Sequence, residues 1–422
     1  MLNIRKALAG FSKQRKKWRK LLQESASLRA ATFTDPQSSH LKEVYNFGSN
    51  PGGLRMFTYL PAAISAESAL MVVLHGCTQT AAGYDRGAGW STLADRFGFA
   101  LLMPEQQRSN NPNGCFNWFQ SGDIERGRGE ALSIRQMVDQ MVSDHRIDPA
   151  RVFITGLSAG GAMTSVMLAT YPDIFAGGAI IAGLPYGAAN NIQQAFENMY
   201  QCPPRSARVW GNLVRAASPH HGPWPRLSIW HGSADATVIP SNASEIVKQW
   251  TDVHGLPITP SAQVMVDGYP RQVWLNANGD ELIESYTITN MAHGTPLATG
   301  AADNTCGSAG PFLLEVGISS SYHIARFFGL TEANRRPVTA NRSAVAATPV
   351  QPSRRRSPEL AQPSVLEGQV LEGEVLKGEE LEGEARDPGF DARPGRTQVP
   401  PSAPIDIRAT ITNALRAAGL MK

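Results

Sequence analysis

Apolar residues come in short, dense runs along the middle of the chain. "LRMFTYLP" (54–61) follows the turn signal "NPGG" and stops at a proline. After it come "LMVVLHG" (70–76), "FALLMPE" (99–105), "RVFITG" (151–156), "FAGGAIIAG" (175–183) and "RLSIWHG" (226–232). Continuous apolar runs of this length, separated by helix-length segments, predict buried strands of a mostly parallel sheet with helices on both faces, an α/β class. The pattern spans residues 32–331 and changes on either side. Ile4, Leu8, Phe11, Trp18 and Leu22 share one face of a basic amphipathic helix expected within residues 1–31. This arm reads either as a solvated extension or as a surface-binding helix for an anionic or apolar interface. Residues 332–404 open with proline, serine and arginine and run into four pentapeptides, "VLEGQ VLEGE VLKGE ELEGE" (365–384). A five-residue period matches neither helix nor strand. One leucine per unit buries too little area to offset ordering, so a disordered linker is expected. In residues 405–422, Ile407, Ile411, Leu415 and Ala418 form the stripe of a short amphipathic helix, either docked on a partner or idle.

Composition adds limits rather than a new picture. With 42% hydrophobic and 8% aromatic residues the chain can bury a sizeable core. The net charge of +3 is local in origin: eight Lys/Arg and no acid fall in the first 22 residues, and the remainder is net acidic. No nucleic-acid partner is expected from such a distribution. No apolar run approaches the ~20 residues of a membrane-spanning helix. The opening "MLNIRKALAGFSKQRKKWRKLLQ" also lacks the apolar stretch of a secretion signal, so a cytoplasmic location is expected. Cys77, Cys115, Cys202 and Cys306 show no metal-type spacing. Thiols in the cytosol and two disulfides in an exported protein both fit them.

The chemistry gathers around "RVFITGLSAGGAMTSVML" (151–168), where Gly156-Leu157-Ser158-Ala159-Gly160 fits G-x-S-x-G between a predicted strand and a predicted helix. A serine on such an elbow projects its hydroxyl beyond the sheet edge, and the glycines let strand and helix approach. A serine hydroxyl needs a base to become a nucleophile, and the base needs an acid to orient it. Asp235, in the polar turn of "LSIWHGSADATVIP", is the candidate acid. The candidate bases after it are His254, His293 and His323. His293, in a loop with glycine beside it after the strand-like "ESYTITN", has the best context for reaching an elbow serine, whereas His231 reads as structural. Two donors for an oxyanion would be the N–H groups of Ala159 and of Cys77, the latter in "VVLHGCTQT" (72–80). Phe116, Trp118 and Phe119 cluster in the Gly/Asn-rich "NPNGCFNWFQSGD" (111–123) and are expected to contact an apolar ester or to pack as a lid.

Taken together, "LHGCTQTAAGYD", "CFNWF", "RGRGEALSI", "DPARVFITGLSAGGAMT" and "WHGSADATV" resemble the esterases of the poly(3-hydroxybutyrate) depolymerase family, specifically the catalytic domain of short-chain polyhydroxyalkanoate depolymerases. The resemblance covers roughly residues 60–331. It implies an α/β-hydrolase fold, Ser158 as nucleophile, Asp235 and His293 as its partners, Cys77 in the oxyanion hole, and a polyester or small ester as substrate. No metal or organic cofactor is implied. The same family includes feruloyl and acetylxylan esterases, which gives an alternative substrate. A further alternative is a granule- or membrane-associated scaffold working through the basic arm and the C-terminal helix. Members that act outside the cell carry a signal peptide and often a polymer-binding module. Neither is expected in this chain, and an intracellular role at polymer granules is the expectation that follows.

Overall fold

The computed structural model describes residues 40–332, apart from 63, 65 and 66. The basic arm expected in residues 1–31, the linker beyond residue 332 and the C-terminal helix lie outside the described residues. Among the described residues twelve strands and eight α-helices follow one another: β1 (Lys42–Val44), β2 (Arg55–Tyr59), β3 (Leu70–Leu74), α1 (Ala81–Ala88), α2 (Trp90–Phe97), β4 (Ala100–Glu105), α3 (Gly129–His145), β5 (Val152–Leu157), α4 (Ala159–Thr170), β6 (Gly177–Ile181), α5 (Ile192–Gln201), α6 (Ala207–Ala216), β7 (Arg226–Gly232), α7 (Ser241–His254), β8 (Ala262–Val266), β9 (Tyr269–Leu275), β10 (Glu281–Ile288), β11 (Thr295–Leu297), β12 (Leu313–Glu315) and α8 (Ser320–Phe327). No helix among the described residues is long and apolar enough to cross a membrane.

Ten strands form one sheet in the order β1-β2-β4-β3-β5-β6-β7-β10-β9-β8. From β4 through β10 every neighbouring pair is parallel; antiparallel strands extend both ends. Strands β3, β4, β5 and β6 read as largely apolar runs because both of their faces are covered, whereas β10 keeps polar positions such as Glu284 and Ser285. In β3, Leu70, Val72 and Leu74 enter one core while Met71 and Val73 enter the other. Helices α3, α4, α6 and α7 close the first core through residues such as Met137, Met163, Trp210 and Trp250. Helices α1, α2 and α8 close the second through Tyr84, Trp90 and Ile324. Each run predicted from the sequence holds a strand. The hairpin β8–β9, its first strand exposed and its second half-buried, lacks such a run and carried no comparable signal.

Near the far end of the sheet a buried polar chain ties three strands together. Trp230 Nε1 donates to Ser228 Oγ, Ser228 donates to Glu284, and Arg271 on β9 also donates to Glu284. Burial is the main force on the Glu284 carboxyl and pushes it up to about 7, against the pull of Arg271. Over this chain the Trp230 and Tyr286 rings stack at 3.8 Å.

His254 closes α7 at the opposite edge from the elbow. Its Nε2 faces Pro225 O at 3.0 Å, just before the amino end of β7, so Nε2–H donates to that carbonyl. With parallel strands, this places His254 a full strand length from the carboxyl edge, and it cannot serve an elbow serine there. Burial pushes its imidazole down to about 4, against the hydrogen bond to Pro225. The folded state thus prefers neutral His254, and its contribution is lost as pH falls from about 6.5 to about 4. Replacing His254 by Gln should flatten the fall of Tm over that interval, measured by thermal scans at several pH values. Trp230→Ala should lower unfolding free energy by about 3–5 kcal/mol, read from denaturant midpoints, because it removes a fully buried indole.

Candidate active site

Strand β5 ends at Leu157 and α4 begins at Ala159, so Ser158 makes the turn between them. It does so at φ 57° and ψ −116°, a left-handed backbone that side chains rarely adopt. Its N–H is tied to Ile181 O at 2.9 Å. A Cβ on Gly156 would lie 2.4 Å from the Gly160 backbone, and one on Gly160 would lie 2.4 Å from Leu74 O. Both glycines of G-x-S-x-G are therefore packing requirements, and the second sets the end of β3 directly against the elbow.

Asp235 and His293 are brought together from two other strand ends. The pairing registers align Leu157 with Ile181, Ile181 with Trp230, and Trp230 with Tyr286, so β5, β6, β7 and β10 finish at one edge. Beyond β7, Ser233 N–H donates to Ile288 O and Ala234 N–H to Met291 O, which ties the Asp235 turn to the His293 loop. Gly232 allows this, since a Cβ there would sit 2.3 Å from Met291 O. His293 Nδ1 then lies 2.7 Å from Asp235 Oδ2. A carboxylate accepts, so Nδ1 carries the proton and Nε2 is left as the basic nitrogen. Phe312 packs edge-on against the His293 ring. Asp235 Oδ1 accepts from the Thr237 and Val238 N–H groups. Burial opposes the charge on Asp235, yet hydrogen bonds from His231 and His293 outweigh it and hold the carboxyl well below the usual range.

His231 was expected to be structural and sits beside this pair. Its Nε2 faces Val238 O at 2.8 Å and Asp235 Oδ2 at 3.3 Å, two acceptors for one N–H. Its position at a strand end carried no sign of that bridge to Asp235. The third histidine weighed as a base, His323, is held elsewhere: its Nε2 lies 2.8 Å from Asp267 Oδ2 in the β8–β9 turn.

The segment after β3 is held on every side. Gln79 Oε1 accepts from Gly76 N–H, Thr78 N–H donates to Asn113 O, and Cys77 forms a disulfide with Cys115. Cys202 and Cys306 are buried free thiols, so the open question of cysteine pairing resolves to one disulfide. Among the described residues no hydrogen bond takes up the Cys77 N–H. Ala159 is the first residue of α4, where an N–H has no carbonyl one turn back to accept it.

The aromatic loop corrects the expectation for Phe116. Phe116 is 0% exposed and packs 5.0 Å from the His75 ring, so it belongs to the core beneath the loop and has no surface for substrate. Trp118 is buried at 7% exposure and Phe119 is half-buried, their rings edge-to-face at 5.4 Å. A cavity of about 730 Å³ lies beyond β6, lined by Tyr186, Ala188, Asn190, Gln194, Arg205 and Leu213 among others; Ser158, Asp235 and His293 do not line it.

Comparison with known proteins gives this chain relatives. The family model described as Esterase PHB depolymerase matches residues 54–270. Poly(3-hydroxyalkanoate) depolymerase C of Paucimonas lemoignei is 52% identical over 291 residues, covering 69% of this chain and 70% of that protein. An acetylxylan esterase of Coprinopsis cinerea is 34% identical over 272 residues, covering 61% of this chain and 70% of its own. The solved acetyl xylan esterase from Aspergillus awamori superposes with a TM-score of 0.59 at 26% identity, over 69% of this chain and 99% of that one. With an α/β-hydrolase sheet, a serine elbow and these relatives, the chain is a carboxylic ester hydrolase and belongs to the Esterase PHB depolymerase family.

Proposed function

We propose that the chain hydrolyses polyhydroxyalkanoate, or its oligomers, by acyl transfer through Ser158, His293 and Asp235. The observation that carries the mechanism is the 2.7 Å bond from His293 to Asp235 at the sheet edge where Ser158 makes its strained turn. Ser158 Oγ attacks the ester carbonyl while His293 Nε2 takes its proton. Asp235 accepts from Nδ1–H and stabilises the imidazolium that forms. The N–H groups of Cys77 and Ala159 hold the tetrahedral oxyanion, and losing one such donor costs about 3–4 kcal/mol in the barrier. His293 then protonates the leaving alcohol, and water repeats the sequence on the acyl-enzyme. Trp118 and Phe119 remain as the aromatic pair for an apolar ester.

The substrate rests on the comparison: identity to a poly(3-hydroxyalkanoate) depolymerase is 52%, against 34% to an acetylxylan esterase. The second reading, an acetylxylan- or feruloyl-type esterase, draws on the superposition with the Aspergillus awamori enzyme. The basic arm of residues 1–30 is proposed as a contact to a polymer granule or anionic membrane surface. For location, the Cys77–Cys115 disulfide suits an oxidising compartment and weighs against the cytosol, where thiols are kept reduced.

Ser158→Ala should lower turnover of a short p-nitrophenyl ester by about 10⁴-fold or more with the fold retained; undiminished turnover would overturn the nucleophile. Wild-type rates on amorphous polyhydroxybutyrate should exceed those on acetylated xylan and methyl ferulate. The reverse order would move the substrate to the second reading. Deleting residues 1–30 should weaken co-sedimentation with granules or anionic vesicles, and unchanged binding would remove the arm from that role.

A further inference from the structure

Acyl transfer as proposed makes no use of Glu130, yet this carboxyl is fully buried in the first turn of α3. Its two oxygens are both taken: Oε1 accepts from Gln106 Nε2, and Oε2 accepts from the Asn117 N–H at 2.9 Å. These two donors lead to Cys77 from opposite sides.

The first route runs through the end of β4. Gln106 N–H donates to His75 Nε2 at 3.1 Å, which leaves the ring proton on Nδ1, and Nδ1 lies 2.8 Å from Gly76 O. Gly76 O and the Cys77 N–H belong to one planar peptide unit, on opposite sides of the same C–N bond. Whatever fixes that carbonyl therefore aims that N–H. The second route runs through the aromatic loop. Gln106 Nε2 also donates to Cys115 O, Glu130 holds Asn117 two residues on, and Cys115 is bonded to Cys77. Between them Phe116 packs on the His75 ring, joining the two routes through the core.

We infer that Glu130 is a positioning residue of the oxyanion site, holding the Gly76–Cys77 peptide in place through Gln106 and His75 and through the Cys115–Asn117 segment. This rests on the reading of the Cys77 N–H as an oxyanion donor.

The chemistry of the side chain supports more than a filler role. Burial, and then the nearby Asp123, push the Glu130 carboxyl up to about 8, so the charged form is costly; Asn117 and Gln106 pull the other way. Asp123 also accepts from the Glu130 N–H at 3.2 Å. A glutamine would fill the same volume without the charge. It offers one acceptor, however, and would turn its NH₂ against a second donor. The site needs two acceptors on one side chain, which a carboxyl supplies and an amide does not.

The test uses the full chain with Glu130→Gln, assayed on p-nitrophenyl butyrate and with an alkyl trifluoromethyl ketone that forms a tetrahedral adduct. Circular dichroism and Tm establish that the variant is folded. The expected result is a fall in kcat of about 10- to 100-fold, less than the 10²–10³ for losing a donor outright, with KM nearly unchanged. Affinity for the ketone should fall by the same factor. A purely structural role would lower Tm without that parallel. Unchanged kcat and ketone affinity in folded Glu130→Gln, or a loss confined to KM, would overturn the inference. If Glu130→Gln does not fold, Gln106→Met, which cuts Glu130 from the end of β4, carries the same expectation and the same refutation. Cys77→Pro with Cys115→Ser removes the N–H itself. Full kcat in that folded protein would overturn the Cys77 reading. A large loss there with none in Glu130→Gln would overturn only the role of Glu130.

Discussion

A level edge is the constraint on which the site depends. The strands from β4 to β10 run parallel in register, and the chain leaves the sheet at the same height after each. Ser158, Asp235, His293 and Cys77 all follow carboxyl ends of those strands. A strand slipped by one residue would exchange its two core faces as well as displace its loop. The apolar pattern that fixes the register of β3, with Leu70, Val72 and Leu74 on one side and Met71 and Val73 on the other, therefore fixes the site as well.

Close backbone contact converts that edge into a site. Gly160 sets the elbow against Leu74 O, and Gly232 sets the Asp235 turn against Met291 O. Around these contacts the main chain supplies most of the bonds, so loops that would otherwise move are tied to strand ends. Asp235 accepts from two main-chain N–H groups and from the His293 imidazole, with His231 Nε2 a further 3.3 Å contact.

The sheet was legible because strands buried on both faces leave unbroken apolar runs in the sequence. The hairpin β8–β9 was not, since its residues are largely exposed or half-buried and alternate weakly. Ser158 was legible because an elbow demands glycine at fixed offsets, and Asp235 because it follows a strand with a polar turn. His293 was distinguishable from His254 by loop context alone, and the Pro225 contact at the other edge supplies the physical reason. Three features lay beyond the sequence. The four cysteines permit several pairings, and a separation of 38 residues carries no preference for Cys77 with Cys115. Phe116 looks like its neighbours in "CFNWF" until its burial is known. His231 ends a strand in the ordinary way, and only the turn that folds back over it brings Asp235 within reach.

The disulfide also encloses part of the fold. The covalent ring closed between Cys77 and Cys115 contains α1, α2 and the interior strand β4. A surface loop usually opens at little cost, independently of the sheet behind it. Here the segment after β3 cannot swing away without carrying the Cys115 loop, whose neighbours Gln106 and Asn117 are bonded into the core. Amide hydrogens in this segment should therefore exchange with solvent on the slow schedule of the central strands, making the loop, in dynamic terms, a part of the sheet.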